Sequence, residues 1–445
     1  MKIIESFIVA VSDFICGYPL FFLLIGGGLF FLFYSGFVPF KYYVRAIRSL
    51  RDKDDSQPGQ ISSFEALMSA IAATVGMGNI AGVAIALTMG GPGAIFWMWV
   101  SAIVGMATKF FEGSLTIMFR GKDSDGVIQG GPMYMITQGL GPKWKPMAVA
   151  FSLFGLIGTL CIMQSNQLTE AVTATFITPA GIKNTIWVRF IIGVIICIIV
   201  SIVVLGGIKR IAKISSKIVP IMVGMYFLLV LYIICTNINT IPGVFESIFT
   251  EAFNLRAGIG GLAGVALIGA RRTALVNEAG VGTASMMHGA SKNNKPIKEG
   301  LIAMIGPSID SGLICTLTAL AILIKGDYHV ESVKGLEIAL NSFEASIPGY
   351  GAYLLMIIVF IFAFSTMFSY SYYGVKCMSY LFGAKRGKYY NYFFLIMLVV
   401  AAIIPLKSAV GLIDLAYALM AFPTMITLFI LAPNVKRAMK EYFNN

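Results

Sequence analysis

The stretch Ala72-Ala73-Thr74-Val75-Gly76-Met77-Gly78-Asn79-Ile80-Ala81-Gly82 decides how this chain folds. It lies in the middle of an apolar run, 61–88, that is long enough to cross a bilayer, which takes about 20 helical residues. A plain spanning helix has no need of three glycines and an asparagine at that depth. Backbone that leaves the helix inside a membrane persists only where protein or a water-filled cavity surrounds it. Residues 72–82 are therefore read as an interrupted helix lining a cavity. Small-residue helix packing is the plainer explanation of the glycines.

A second run, 258–287, has the same character. It contains Gly269-Ala270-Arg271-Arg272-Thr273 and then Asn277-Glu278-Ala279-Gly280-Val281-Gly282-Thr283. Packing alone does not call for two arginines and a glutamate at membrane depth, where charge is costly and marks function. Around these two runs the sequence predicts nine more spans, at 18–37, 94–119, 147–176, 187–205, 218–235, 300–324, 349–380, 389–406 and 408–431. The interrupted segments are then the second and the seventh of eleven. Each opens a block of five helices. Five is odd, so the second block enters the membrane from the opposite side, which is the arithmetic of an inverted repeat. Matching interruptions in two such halves point to a transporter's midplane site. The predicted organisation is an N-terminal part, 1–60, holding an amphipathic segment, the first helix and a basic loop. A first five-helix repeat (61–236), an inverted second repeat (257–433) and a cytoplasmic tail (434–445) follow.

Composition agrees. Of the 445 residues, 58% are hydrophobic and 12% charged, against about 25% charged in soluble domains. Too few charges remain to cover a water-exposed surface, which excludes soluble enzymes and nucleic-acid binders. The net charge of +12 has another origin. Of the lysines and arginines, 22 fall in the loops after spans 1, 3, 5, 7 and 9 and at the C-terminus, against seven on the opposite side. This bias places the C-terminus in the cytoplasm and the N-terminus outside a plasma or inner membrane. Residues 1–17 lack a basic start and a cleavage site, so they read as an interfacial helix rather than a signal peptide. The six cysteines all sit in apolar stretches without metal-ligand spacing, and behave as small core residues. An intramembrane enzyme is disfavoured: the two histidines, His288 and His329, keep no spacing suited to a metal or a nucleophile.

The interruption also suggests a ligand. Unwinding frees the N–H groups of Gly76, Met77, Gly78 and Asn79 at the head of the next half-helix, where the dipole favours an anion such as a carboxylate. The carbonyls from Ala72 to Val75 are freed towards a cation. In the ninth span Ser365-Thr366 offers two more oxygens, although such hydroxyls commonly bond back to their own helix. The charges left inside spans include Lys109 and Glu112, spaced i, i+3, which read as a structural pair. Asp310 lies within reach of Arg271 or Arg272 on this reading.

These residues extend into a longer pattern. Gly76-Met77-Gly78-Asn79-Ile80-Ala81-Gly82-Val83-Ala84 continues to Gly90-Gly91-Pro92-Gly93-Ala94-Ile95-Phe96-Trp97-Met98-Trp99. Gly105-Met106-Ala107-Thr108-Lys109-Phe110, Gly130-Gly131-Pro132-Met133-Tyr134, Gln164-Ser165-Asn166, Asn277-Glu278-Ala279-Gly280 and Tyr372-Tyr373-Gly374 follow. From residue 18 to residue 431 the chain resembles the alanine or glycine:cation symporters, the sodium:alanine symporter family. The resemblance implies an all-α polytopic protein of about eleven helices, with a LeuT-type 5+5 inverted repeat behind one extra helix. It implies uptake of a small neutral amino acid driven by Na+, with H+ an occasional substitute, and no obligate protein partner. By similarity, the carbonyls of Ala72, Val75 and Phe362 and the hydroxyls of Ser365 and Thr366 would hold Na+. Gly76, Met77, Gly78 and Asn79 would face the substrate carboxylate. Gln164, Gly269, Asn277, Thr366 and Tyr370 would complete the pocket. The chain departs from the family pattern at Met77 (usually Thr), Val276 (usually Ser), Tyr370 (usually Trp) and Val375 (usually Glu). A smaller aromatic at 370 leaves room for a side chain longer than alanine's, such as that of serine or glutamine. A proton-coupled carrier, an uncoupled carrier or a channel is the alternative.

Overall fold

The computed structural model describes residues 11–12, 14–51, 59–253, 264–265, 268–269, 276–326, 335–404 and 406–444. They are almost wholly helical; the β-structure is a short hairpin pairing Gly121–Lys122 with Ile128–Gln129 and one isolated bridge between Ile61 and Ser291. This follows from the apolar sequence, because a helix satisfies its own backbone polar groups without water. The helices, in chain order, are α1 (Tyr18–Tyr34), α2 (Ser63–Thr74), α3 (Gly78–Gly90), α4 (Gly93–Met118) and α5 (Pro142–Ile177). Then come α6 (Ile186–Val204), α7 (Gly207–Thr236), α8 (Ile241–Ala252), α9 (Thr283–Gly289) and α10 (Pro296–Leu323). The last are α11 (Gly335–Ser346), α12 (Gly351–Phe382), α13 (Tyr390–Ile403) and α14 (Leu406–Asn444).

Among the described residues seven helices are each long and apolar enough to cross a membrane, and α2 with α3 make an eighth, bent by 53° at the break. The span expected at 389–406 is the 14-residue α13. Part of the expected 258–287 span, including Arg271 and Arg272, lies outside the described residues, as does most of the N-terminal segment 1–17.

Local chemistry sets the ends of α2. Ser62 is its N-cap: the hydroxyl accepts from Glu65 N–H at 3.2 Å, and the Glu65 carboxylate accepts from Ser62 N–H at 2.8 Å. This capping box fixes where the helix enters. Its other end is Thr74, after which Val75 turns to an extended conformation.

Packing separates an inner group of helices from a rim. In their most apolar windows α4, α10 and α14 are 72%, 67% and 67% buried, whereas α6 and α7 are 28% buried. The rim helices turn Ile191, Ile195, Ile198, Ile202 and Leu228 outward, as a lipid-facing surface does. At the centre α4 and α10 touch closely. A Cβ on Gly300 would stand 2.1 Å from Ser114 Oγ and 2.5 Å from the Phe110 carbonyl, so only glycine allows this approach.

Three features differ from the sequence expectation. The fourth span is not continuous: residues 159–161 leave the helix, and Cys161 adopts φ 52°, a left-handed value unusual without glycine. Two stretches read as loops hold helices α8 and α11. The tail expected at 434–445 continues α14 as helix to Asn444. Its end folds onto the first basic loop, with Phe443 stacked on Tyr42 at 3.8 Å and the Arg45 guanidinium 4.7 Å over Tyr442. Aromatic and cation–π contacts thus order what charge alone marks as a free tail.

Gly300→Leu is expected to destabilise the protein by about 1–3 kcal/mol or more through overpacking. Gly306→Ala, on the same helix with open space around it, should change little. Thermal unfolding in detergent compares the two; equal midpoints would contradict the close α4–α10 contact.

Candidate functional site

The break between α2 and α3 is held by one side chain. In an unbroken helix the Gly76 N–H would donate to the Ala72 carbonyl. It donates instead to Asn79 Oδ1 at 2.9 Å, while Asn79 N–H donates back to the Gly76 carbonyl at 3.1 Å. The Ala72 carbonyl therefore loses its helical donor. Asn79 is itself fixed, since its Nδ2 donates to the Asp310 carbonyl at 3.1 Å. The first turn of α3, Gly78–Gly82, is π-helical, a distortion frequent at functional sites.

A cavity of about 120 Å³ opens beside this break. Gly76, Met77 and Gly78 line one side, Cys161 and Gln164 a second, Thr366 and Tyr370 a third, and Val276, Glu278, Asp414 and Tyr417 close it. Met77 and Gly78 bring first-turn N–H groups, which have no acceptor in their own helix. Gln164 comes from the turn of α5 just past the irregular residues 159–161, which move that helix's backbone up to the cavity wall.

Behind the break stands α12. The hydroxyls of Ser365 and Thr366 both donate to the Phe362 carbonyl at 3.0 Å. This is the back-bonding habit of membrane helices, and it gathers three oxygens in one place with lone pairs to spare. Gly76 sits directly on this group: a Cβ there would lie 2.6 Å from Thr366 Oγ1. Ala72, Val75 and Phe362 are fully buried. The arrangement brings together a helix end with free carbonyls, two hydroxyls and a cavity, the ingredients of a hard-cation site.

Three residues expected in the pocket stand outside its lining. Asn79 supports the break from behind. Gly269 packs against the start of α4, where a Cβ would stand 2.3 Å from the Ala94 carbonyl. Asn277 turns its Oδ1 to the Ala279 N–H at 3.0 Å, and its Nδ2 lies against Gly105. The closing wall is built one residue to either side of Asn277, by Val276 and Glu278. Glu278 adopts φ 55°, strained for a residue with a side chain. Its carboxylate accepts hydrogen bonds from the hydroxyls of Thr283 and Tyr370. Tyr417 in turn donates to the Tyr370 oxygen at 2.5 Å. Glu112 Oε1 accepts from Gly280 N–H at 2.5 Å while Lys109 Nζ lies 3.9 Å from its other oxygen. Glu112 thereby pins the second unwound segment to α4.

Tyr417, Met163 and Cys161 carried no sequence signal, because each reaches the cavity through helix geometry rather than a motif. His288 joins a separate buried cluster. Its Nδ1 lies 2.7 Å from Glu299 Oε1, and the other Glu299 oxygen accepts from Ser63 and Asn293. This cluster ties the head of α2 to α9 and α10.

The sodium:alanine symporter family model matches residues 1–445. A sodium/alanine symporter of Methanococcus maripaludis is 37% identical over 448 residues, covering 98% of this chain and 97% of that one. A probable sodium/glutamine symporter of Bacillus subtilis is 33% identical, covering 99% and 91%. An uncharacterized transporter of Haemophilus influenzae is 36% identical, covering 99% and 96%. In fold, the chain is similar to the crystal structure of MhsT in complex with L-phenylalanine, with a TM-score of 0.60 over 84% of this chain and 90% of that one, at 14% identity. A multi-pass membrane carrier is the class these features define. The chain belongs to the sodium:alanine symporter family.

Tyr370→Phe removes a donor to a buried carboxylate and is expected to cost about 1.5–3 kcal/mol of stability. Tyr417→Phe, which loses a bond between neutral groups, should cost roughly 0.5–1.5 kcal/mol. Denaturant titration in detergent measures both; the reverse order would contradict the direction of the Tyr417–Tyr370–Glu278 chain.

Proposed function

We propose that this protein imports a small neutral amino acid together with Na+ by alternating access, in a LeuT-type arrangement of two five-helix repeats at 61–236 and 257–433. The observation that carries the reading is the contact of Gly76 with Thr366. It sets an unwound, carbonyl-rich helix end against two hydroxyls on one side and the cavity on the other. Na+ is held by the carbonyls of Ala72, Val75 and Phe362 with Ser365 and Thr366. The substrate carboxylate meets the N–H groups of Met77 and Gly78. Gln164, Thr366 and Tyr370 shape the rest of the pocket.

On this reading the ion and the substrate share one element. Na+ draws the end of α2 onto α12, which orders the turn that the carboxylate needs. Coupling of this kind is reciprocal, so substrate raises Na+ affinity by the same factor. Alanine-like substrates fit a cavity of this size, and Tyr370 in place of a larger tryptophan extends the range to serine or glutamine. The family membership and the names of the two sodium-dependent relatives support sodium coupling. The basic loops orient the chain with the C-terminus in the cytoplasm of a plasma or inner-membrane cell boundary.

Uptake of labelled amino acid into proteoliposomes should require an inward Na+ gradient; uptake driven by a proton gradient alone, or equilibrating without any gradient, would favour the proton-coupled or uncoupled reading. Thr366→Ala is expected to raise the Na+ concentration for half-maximal uptake about tenfold or more, the loss of roughly 1.4 kcal/mol, with a smaller effect on substrate preference. Tyr370→Trp should shift competition among the twenty amino acids towards the smallest. Wild-type ion and substrate profiles in both variants would displace the site.

A further inference from the structure

The chain leaving α1 turns at Gly36 and Phe37, both left-handed at φ 68° and 63°, into two short helices, Val38–Lys41 and Tyr43–Ser49. The first packs on α4 and the second on α10, burying Val38, Ala46 and Ser49. Beside them an open groove of about 290 Å³ is lined by Pro39, Phe40, Tyr43, Ile103, Met106 and Ser308. It is larger than the cavity at the α2–α3 break, and transport as described above makes no use of it.

Two properties define what fits. First, the groove offers nothing polar. The two hydroxyls in its lining are engaged with each other: Tyr43 Oη lies 2.7 Å from Ser308 Oγ, which donates to the Ile305 carbonyl at 2.7 Å. A sugar, peptide or amino acid would lose its water there without gaining a partner, whereas a hydrocarbon chain would not.

Second, positive charge stands beside it. Lys41 directly follows Phe40, and Arg45, Arg48 and Arg51 continue at helical spacing; all four are exposed. Among the described residues none of them has a carboxylate within 4.0 Å. Phe40 and Val44, 61% and 62% exposed, share the same two helices, so hydrocarbon and cation alternate as on an interfacial helix. The end of α14, packed on Tyr42 and Arg45, adds Lys436, Arg437 and Lys440. Asp52, Asp54 and Asp55, outside the described residues, and Glu441 oppose them. Even so, residues 38–55 and 433–445 hold eight basic side chains against four acidic ones. Orienting the chain in a membrane asks for such charge on one side, but not for an apolar groove next to it.

We propose that this groove is a lipid site. One acyl chain of a phospholipid with a net negative headgroup lies between the short helices, α4 and α10, and its phosphate meets Lys41, Arg45 and Arg48. The link to the carrier is Ser308, the first residue of the π-helical turn Ser308–Ile314. That turn carries the Asp310 carbonyl to which Asn79 is bonded. A chain seated against Tyr43 and Ser308 braces the helix on which the α2–α3 break leans, and lipid composition becomes a control on the carrier.

The test uses the full chain, stripped of lipid in detergent, with phosphatidylglycerol and phosphatidylcholine of the same acyl chains. Phosphatidylglycerol is expected to raise the thermal unfolding midpoint at a several-fold lower concentration than phosphatidylcholine. Lys41→Gln combined with Arg48→Gln should raise that concentration about fivefold for each cation removed. Ile103→Trp, which fills the groove from α4, should abolish the saturable stabilisation by phosphatidylglycerol. Phe40→Trp keeps an aromatic ring at an exposed position and serves where Ile103→Trp fails to fold. Its added fluorescence should be quenched by phosphatidylglycerol brominated on the acyl chain at a several-fold lower mole fraction than by the matching phosphatidylcholine. Equal midpoints or equal quenching with the two lipids overturn the proposal, the surface then being solvated by any lipid. Stabilisation that survives Ile103→Trp, or that soluble glycerol phosphate reproduces, also overturns it, leaving a headgroup patch without a chain site.

Discussion

The structure depends on the capture of the Gly76 N–H by the Asn79 side chain. In a hydrocarbon interior an unpaired backbone N–H costs several kcal/mol, so a spanning helix breaks only where another acceptor waits. Asn79 Oδ1 is that acceptor. Its position three residues on lets α2 stop at Thr74 and α3 restart at Gly78 with a 53° bend. The bend frees the Ala72 carbonyl, seats Gly76 on Thr366, and turns the head of α3 to the cavity. Without the asparagine the same glycines would make only a close-packed straight helix.

The second unwound segment obeys the same rule with partners drawn from farther away. Gly280 N–H goes to Glu112 on α4, the Val281 carbonyl accepts from Thr424 on α14 at 3.0 Å, and Glu278 is bonded to Tyr370 on α12. Two of its backbone groups and the Glu278 side chain are thus held by three different helices, while the Ala279 and Val281 N–H groups find acceptors within the segment itself. Its conformation is therefore conditional on how those helices sit. A shift of α12 or α14 by a fraction of a helical turn withdraws a partner, and the segment must find another arrangement. Packed elements that exchange partners in this manner have discrete states rather than a continuum, which suits the alternating access proposed above.

Much of this was legible in the sequence, for identifiable reasons. A bilayer forces helices, so apolar run length was a direct guide to α4, α6, α7, α10 and α12. Gly-Met-Gly-Asn at membrane depth has few explanations, and the break it announced is present. The interruption at 159–161 was silent because Thr-Leu-Cys contains neither glycine, proline nor charge. Its left-handed Cys161 is imposed by the surrounding helices rather than by local preference. The continuation of α14 runs past the apolar stretch that marks the span, through Lys, Arg, Ala and Met, which are good helix formers. Asn277 and Gly269 stand outside the cavity lining, and an unwound segment has no fixed period that would foretell this. Which of its side chains face inward cannot be counted along the chain, and Val276 and Glu278 hold the wall instead.

Tyr370, where resemblance to the family leads one to expect tryptophan, gains meaning from its neighbours. An indole N–H can donate to Glu278 but cannot accept from Tyr417. A phenol does both, so Tyr370 at once satisfies the carboxylate and receives the Tyr417 hydroxyl. With both hydroxyls engaged in this chain, the stacked rings of Tyr370 and Tyr417, 6.2 Å apart and 13° from parallel, meet the cavity as a largely apolar wall. The two tyrosines and Glu278 therefore form one unit. Substituting tryptophan at 370 alone enlarges the wall and also strands the Tyr417 hydroxyl, so the effect of residue 370 on what fits the cavity depends on the residue at 417. Energetic coupling between directly bonded residues of this kind is non-additive, and pocket size at this wall is set by the pair rather than by either ring.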